Sequence, residues 1–135
     1  MKEIRFKKWK KPLIKDGKPT KWNWLVRGVE SLELGKDTDI GAFCYINATA
    51  GVVIENNVQI GGGVKIYSIS TIDNKKGKIV LKKNCKIGAN SVIMPGVTIG
   101  ENSIVGALSF VTKDIPDNVL AYGVPAKVIK KIDNV

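Results

Sequence analysis

From Leu34 to about Ile115 the chain keeps a six-residue beat. Aliphatic residues recur at Leu34, Ile40 and Ile46, then at Ile54, Ile60 and Ile66. After a break they return at Leu81, Ile87, Ile93, Ile99, Val105 and Val111. Glycine often follows the beat residue, as at Gly35, Gly41, Gly61, Gly88, Gly100 and Gly106. A small or β-branched residue stands four places after it, for example Thr38, Cys44, Ala50, Val58, Val64, Cys85, Ser91, Val97, Ser103 and Ser109. A repeat this short cannot bury an apolar face alone, so successive repeats must stack. The pattern predicts an all-β parallel β-helix: three short strands per triangular coil, coils about 4.8 Å apart, and roughly four coils in all.

The repeat divides the chain. Residues 1–31 do not follow the beat and hold Trp9, Trp22, Trp24, Pro12, Pro19 and the turn signal Asp16-Gly17. They are expected to form a cap, because the first coil of a solenoid exposes backbone and apolar side chains. Residues 32–115 are the β-helix and 116–135 a closing segment. There Pro116 and Pro125 preclude central-strand pairing at their own positions. That closing segment is read as an irregular passage to Val124, followed by a short strand or helix from Ala126. At 135 residues the whole is one domain.

Two breaks interrupt the beat, and insertions in a solenoid become surface loops. Gly51 absorbs the first, between Ile46 and Ile54. The second runs from Tyr67 to Lys78 and ends in the polar stretch DNKKGK. Binding groups concentrate on loops held by rigid scaffolds, so this loop is the first place to look for chemistry.

Charge and cysteine content bound the function. Lys and Arg number 22 against 12 Asp and Glu, and the excess is dense at Lys2, Arg5, Lys7, Lys8, Lys10 and Lys11. Such a balance attracts a polyanion, an anionic membrane or a phosphorylated cofactor, and equally suits a solvated, soluble surface. No zinc-finger spacing or aromatic RNA-binding sequence accompanies it, so no nucleic-acid partner is expected. No apolar run is long enough to span a membrane. The basic N-terminus lacks the apolar stretch of a secretory signal, which makes a cytoplasmic protein the expectation. Cys44 and Cys85 both occupy the small position of the repeat and read as core residues; a disulfide or reactive thiol is the alternative.

From Ile87 to Ile132 the sequence reads IGANSVIMPGVTIGENSIVGALSFVTKDIPDNVLAYGVPAKVIKKI. The runs MPGVTIG, VTKDIP and YGVPAKVI, in combination, closely resemble the hexapeptide-repeat acyltransferases. The nearest branch is the sugar acetyltransferases that include the galactoside and maltose enzymes. The resemblance implies a left-handed β-helix, an exception to the usual right-handed crossover. It also implies a homotrimer with active sites between subunits and acetyl-CoA as co-substrate in the groove. Residue by residue, it implies that Ala89 and Ala107 meet the pantetheine arm through backbone groups. It places Thr112 and Lys113 near the adenine and phosphates, and Lys127 and Lys130 near the phosphates of CoA. Small residues let a backbone approach a ligand, and lysines pair with phosphate as point charges.

One departure bears on mechanism. The galactoside and maltose branch carries a catalytic histidine in the loop matching the one after Val64-Lys65-Ile66-Tyr67. This chain has no histidine, and Thr71 or a neighbour stands there. Without imidazole, and with both cysteines at core positions, no zinc site of ordinary composition can be built, so no metal is expected. A hydroxyl acceptor needs a base, which contributes about 10²–10⁴-fold. A neutral amine attacks a thioester without one. The reading is acetylation of a sugar, with the amino group of a nucleotide-linked sugar as the favoured acceptor. O-acetylation, or a silent scaffold that has lost its base, are the alternatives. Asp73, in the same loop, is the best candidate for a side-chain base, if it is not simply an Asx turn with Asn74.

Overall fold

Six residues make one short strand and one turn, and each such unit sends two side chains inward. The beat residue fills the middle of a layer, and the small residue fills the corner, where little volume remains. The computed structural model, which describes residues 6–133, has this arrangement along most of the ladder, with Leu34 and Ala50 only half-buried. Ile46, Ile54, Ile60, Ile66, Ile93 and Ile99 are almost completely buried, and so are Cys44, Cys85, Ser91, Ser103 and Ser109. Each buried aliphatic side chain stabilises the fold by about 1.5–3 kcal/mol.

Among the described residues the strands run as follows. β1 (Leu25–Arg27) precedes a first coil of β2 (Leu32–Leu34), β3 (Asp39–Ile40) and β4 (Tyr45–Asn47). The second coil is β5 (Val52–Ile54), β6 (Gln59–Ile60) and β7 (Lys65–Tyr67), and a small hairpin follows, β8 (Ile69–Ser70) and β9 (Lys75–Lys76). The third is β10 (Ile79–Leu81), β11 (Lys86–Ile87) and β12 (Val92–Ile93); the fourth is β13 (Thr98–Ile99), β14 (Ile104–Val105) and β15 (Phe110–Val111). β16 (Val119–Gly123) and β17 (Ala126–Lys131) close the far end.

Stacking generates three faces. Face A is β1-β4-β7-β12-β15, face B is β2-β5-β10-β13, and face C is β3-β6-β11-β14-β16-β17. All neighbours are parallel except the last pair in face C. The beat residues align in register, Ile46 with Ile66 and Ile66 with Ile93 on face A. Edge 1 joins face A to face B, edge 2 joins B to C, and edge 3 joins C to A.

Turn chemistry differs between edges. On edge 2 the left-handed position is held by Asp37, Asn57, Asn84, Asn102 and Asn118, residue types that tolerate it. The last three also form a side-chain ladder, with Asn84 Nδ2 donating to Asn102 Oδ1 (2.7 Å) and Asn102 Nδ2 to Asn118 Oδ1 (3.0 Å). On edge 3 the same position holds Phe43, Gly63, Asn90 and Leu108. Phe43 and Leu108 are costly there, and both are exposed.

The ladder starts earlier than the beat suggests. β1 pairs with β4, so Val26, fully buried, already belongs to the stack. Before it the cap crosses the open end and touches all three edges. Trp9 Nε1 donates to the Thr38 carbonyl at edge 2 (2.9 Å). Gly17 N–H donates to the Val26 carbonyl above β1 (2.8 Å), and the Asp16 carboxylate accepts from the Gly28 and Val29 N–H groups at edge 1. Phe43 N–H donates to the Asn23 carbonyl at edge 3. Trp24 joins the core while Trp22 stays half exposed. Lys2 and Arg5 lie outside the described residues.

At the other end, residues 119–123 are not irregular. They form β16, parallel to β14, and the strand expected from Ala126 is β17. The prolines restrict only themselves: Pro116 and Pro125 lie outside the two strands and leave five pairing residues between them.

Candidate active site

Edge 3 is built from glycine and alanine because its coils lie against each other. A Cβ on Gly61 would stand 2.7 Å from the Ala89 nitrogen, and one on Gly88 would strike the Ala107 nitrogen. Ala89 and Ala107 are consequently stacked in successive coils, exposed, with minimal side chains. Directly below, a Cβ on Gly106 would meet the Tyr122 Cβ at 2.9 Å, and Gly123 N–H donates to Ser109 Oγ (3.2 Å). Lys127 pairs with Tyr122 across β16 and β17. Ala89, Ala107, Tyr122 and Lys127 thus occupy four successive layers of one edge. A bare backbone track ending in a cation suits a long amide chain terminated by phosphate. Lys130 pairs instead with Leu120, toward the edge-2 end of the strand.

Edge 1 carries the loop. The break from Tyr67 to Lys78 is ordered: β8 and β9 pair antiparallel around a tight turn that holds Thr71 to Asn74. Its base is stitched to the coils. Buried Ser68 donates its N–H to the Asn47 carbonyl (3.0 Å), and its Oγ accepts from Ala50 N–H (3.0 Å). Gly77 N–H donates to the Ser68 carbonyl (2.9 Å), and Gly96 N–H to the Gly77 carbonyl (3.1 Å). The tip is bare: Ile72 is fully exposed, and Asp73, also exposed, lies 3.8 Å from the Lys75 ammonium. Thr112 and Lys113 lie on this edge too, two coils further on, exposed beside Asp114, whose carboxylate accepts from Thr98 N–H (2.8 Å).

The two groups of residues therefore flank face A from opposite sides. Along β15, Leu108 and Thr112 are four positions apart, about 13 Å of extended chain. Face A between them carries residues that sequence reasoning missed. Tyr45 and Tyr67 stack across coils with ring centroids 5.7 Å apart at 52°. Lys65, in register with Tyr45, donates its ammonium to the Gly63 carbonyl (2.6 Å), and Asn47, in register with Tyr67, accepts at Oδ1 from Thr49 N–H (3.1 Å). A signal existed: these residues flank the beat residues Ile46 and Ile66 on strands that enter the two breaks, so alternation turns them outward.

Cys44 and Cys85 are free and buried, in the core as expected. Burial pushes both thiols up from their ordinary range, which removes them from nucleophilic chemistry near neutral pH.

Known proteins share this fold. The bacterial transferase hexapeptide (six repeats) family matches residues 78–113, and the hexapeptide repeat of succinyl-transferase matches residues 32–68. Galactoside O-acetyltransferase of Lactococcus lactis is 36% identical over 115 residues, covering 74% of this chain and 56% of its own length. That of Escherichia coli K12 is 40% identical, with 74% and 57% covered. The chain thus spans a little over half the length of these relatives. A hexapeptide-repeat acetyltransferase of Vibrio cholerae, solved with acetyl coenzyme A, superposes with a TM-score of 0.78 at 28% identity over 82% of this chain and 66% of that one. The superposition bears out the parallel stacked-coil β-helix read from the repeat. With repeats matched on both sides of the hairpin, and curated relatives aligned over three quarters of its length, the chain belongs to the hexapeptide-repeat transferase family.

Proposed function

We propose that the protein transfers an acetyl group from acetyl-CoA to a sugar, in a homotrimer whose active sites lie between subunits. Edge 3, with Ala89, Ala107 and Lys127, holds the cofactor arm, and the edge-1 hairpin faces the acceptor. Thr112, Lys113 and Lys130 serve the adenine and phosphate end. The observation that supports a shared site is the separation of these groups on opposite sides of face A. If edge 3 of one subunit packs beside edge 1 of the next, the groups meet. Such a contact is heterologous, and it closes into a ring when the rotation permits. Triangular prisms packed edge to edge suit a threefold ring, and a short solenoid gains buried surface by it.

The acceptor we infer is an amino group on a nucleotide-linked sugar. The single observation carrying this reading is that the chain has no histidine, so that Thr71 or a neighbour in the hairpin stands where the hydroxyl-acetylating branch has its base. A neutral amine can attack the thioester carbonyl directly. The oxyanion collapses, the C–S bond breaks, and the proton gained from the amine leaves with the CoA thiol or to water. Backbone N–H groups are the donors available to the oxyanion. The O-acetylating relatives favour a second reading, in which Asp73 is the base for a hydroxyl.

A thiol-release assay with acetyl-CoA against paired amino and hydroxy sugars separates the two. For an amine the rate rises with pH and its inflection follows the amine of each sugar. Asp73→Asn then lowers the rate less than tenfold. A fall of several orders of magnitude in that variant, with acetyl-CoA affinity preserved, would make Asp73 the base and the acceptor a hydroxyl.

A further inference from the structure

The cap has more charge and more exposed apolar surface than covering a coil requires. Lys7, Lys8, Lys10 and Lys11 crowd its first stretch, and Lys15, Lys18 and Lys21 follow, all exposed. Between Phe6 and Trp24 the sole acidic residue is Asp16, and its carboxylate is spent inward on the Gly28 and Val29 N–H groups. The next acids along the chain, Glu30, Glu33, Asp37 and Asp39, belong to the turn and coil beneath. Because the cap touches edges 2, 1 and 3 in turn, its lysines are spread over the end of the prism. Two large apolar side chains stand among them. Leu13 is 78% exposed, and Trp22 is 47% exposed with the Lys21 ammonium 4.9 Å over its ring.

We propose that this end of the solenoid is a docking plate for an anionic membrane surface. Lysines concentrated on one face are attracted by the negative potential of acidic lipids. A tryptophan ring settles at the headgroup level, and an aliphatic side chain enters the acyl boundary. Charge alone would serve a nucleic acid equally well, but Leu13 distinguishes the two, since a phosphodiester backbone gives an exposed aliphatic side chain nothing to pack on. Binding is peripheral and reversible, and needs no spanning segment; no helix among the described residues is long and apolar enough to cross a membrane.

The test uses the full chain co-sedimented with phosphatidylcholine vesicles, with and without phosphatidylglycerol, at low and high salt. The expected result is binding only to the phosphatidylglycerol vesicles, weakened by salt, with a blue shift of tryptophan emission that Trp22→Phe removes. Lys8→Glu/Lys10→Glu/Lys11→Glu should lower vesicle affinity at least tenfold. Leu13→Ala should lower it severalfold at both salt concentrations, and Tm should be unchanged in both variants. Binding that ignores the acidic lipid, or that survives the charge reversal, would overturn the proposal. So would tighter binding to a single-stranded RNA oligomer than to the vesicles, in which case the plate is a nucleic-acid surface.

Discussion

Leu108 and Phe43 sit in a backbone conformation that glycine adopts freely and other residues pay for. In an isolated L-residue the left-handed region costs about 1–2 kcal/mol. The same column holds Gly63 and Asn90 in the middle coils, so the cost is confined to coils one and four. Leu108→Gly should therefore stabilise the chain by up to about 1 kcal/mol, since relief of strain outweighs the extra freedom of the unfolded glycine. Thermal unfolding would register a rise of a few degrees, and an unchanged or lower Tm would mean that contacts of the leucine side chain offset its strain. Cys85 gives a second prediction. Burial first, and Glu55 after it, raise this thiol well above its ordinary value of 9.0. Above about pH 9 the unfolded chain releases the proton and the folded chain keeps it, so the folded state holds more protons and stability falls as pH rises. Cys85→Ala should make the alkaline decline of stability shallower, as measured by denaturant unfolding across that window. Residues of this kind were only half legible: the small position marked Cys85 as core, but nothing in the spacing marked Leu108 as strained, because backbone sign is set by the turn and not by the beat.

At the level of elements, periodicity located every strand whose beat residue is aliphatic and in step. It did not locate β1 or β16, and the reasons differ. Val26 precedes Leu34 by the same eight residues that separate Ile46 from Ile54, but the tryptophans around it read as cap. Val119–Gly123 was obscured by flanking prolines, although a proline forbids pairing only at its own position. The hairpin was legible as an insertion and not as a folded element, since β8 and β9 have two residues each and are held by Ser68 and Gly77 at their base. That anchoring yields a prediction. Replacing residues 70–75 with a short glycine-serine turn leaves Ser68, Gly77 and all three faces untouched. On the proposed function, the variant should fold with nearly unchanged Tm and keep its acetyl-CoA affinity while transfer to the sugar is lost. Retained transfer would remove the hairpin from the acceptor site.

For the whole molecule, the sequence pattern conveyed the stack but not how its edges relate to one another, because residues far apart in the chain share an edge only after coiling. Ala89 and Lys127 come onto one edge that way, while Lys113 and Lys130, assigned to the same cofactor, lie elsewhere on the subunit. If the site is shared between subunits, two defective chains should complement each other. Mixing the hairpin replacement with Lys127→Ala, after dissociation and reassembly, should recover activity that neither homogeneous protein has. Some interfaces then unite an intact edge 3 with an intact edge 1. No recovery, with mixed trimers demonstrated by mass spectrometry, would place the entire site within one subunit.

The three edges are unequal in a way that reaches beyond this reaction. Edge 1 accommodates eight residues from Val26 to Leu34, eight from Ile46 to Ile54, fifteen from Ile66 to Leu81 and six from Ile93 to Ile99. The ladders on either side stay in register regardless. One corner of the prism is thus indifferent to how much chain passes through it. It behaves as a cassette: a lineage, or a designer, can exchange the segment carried there without re-threading a single coil.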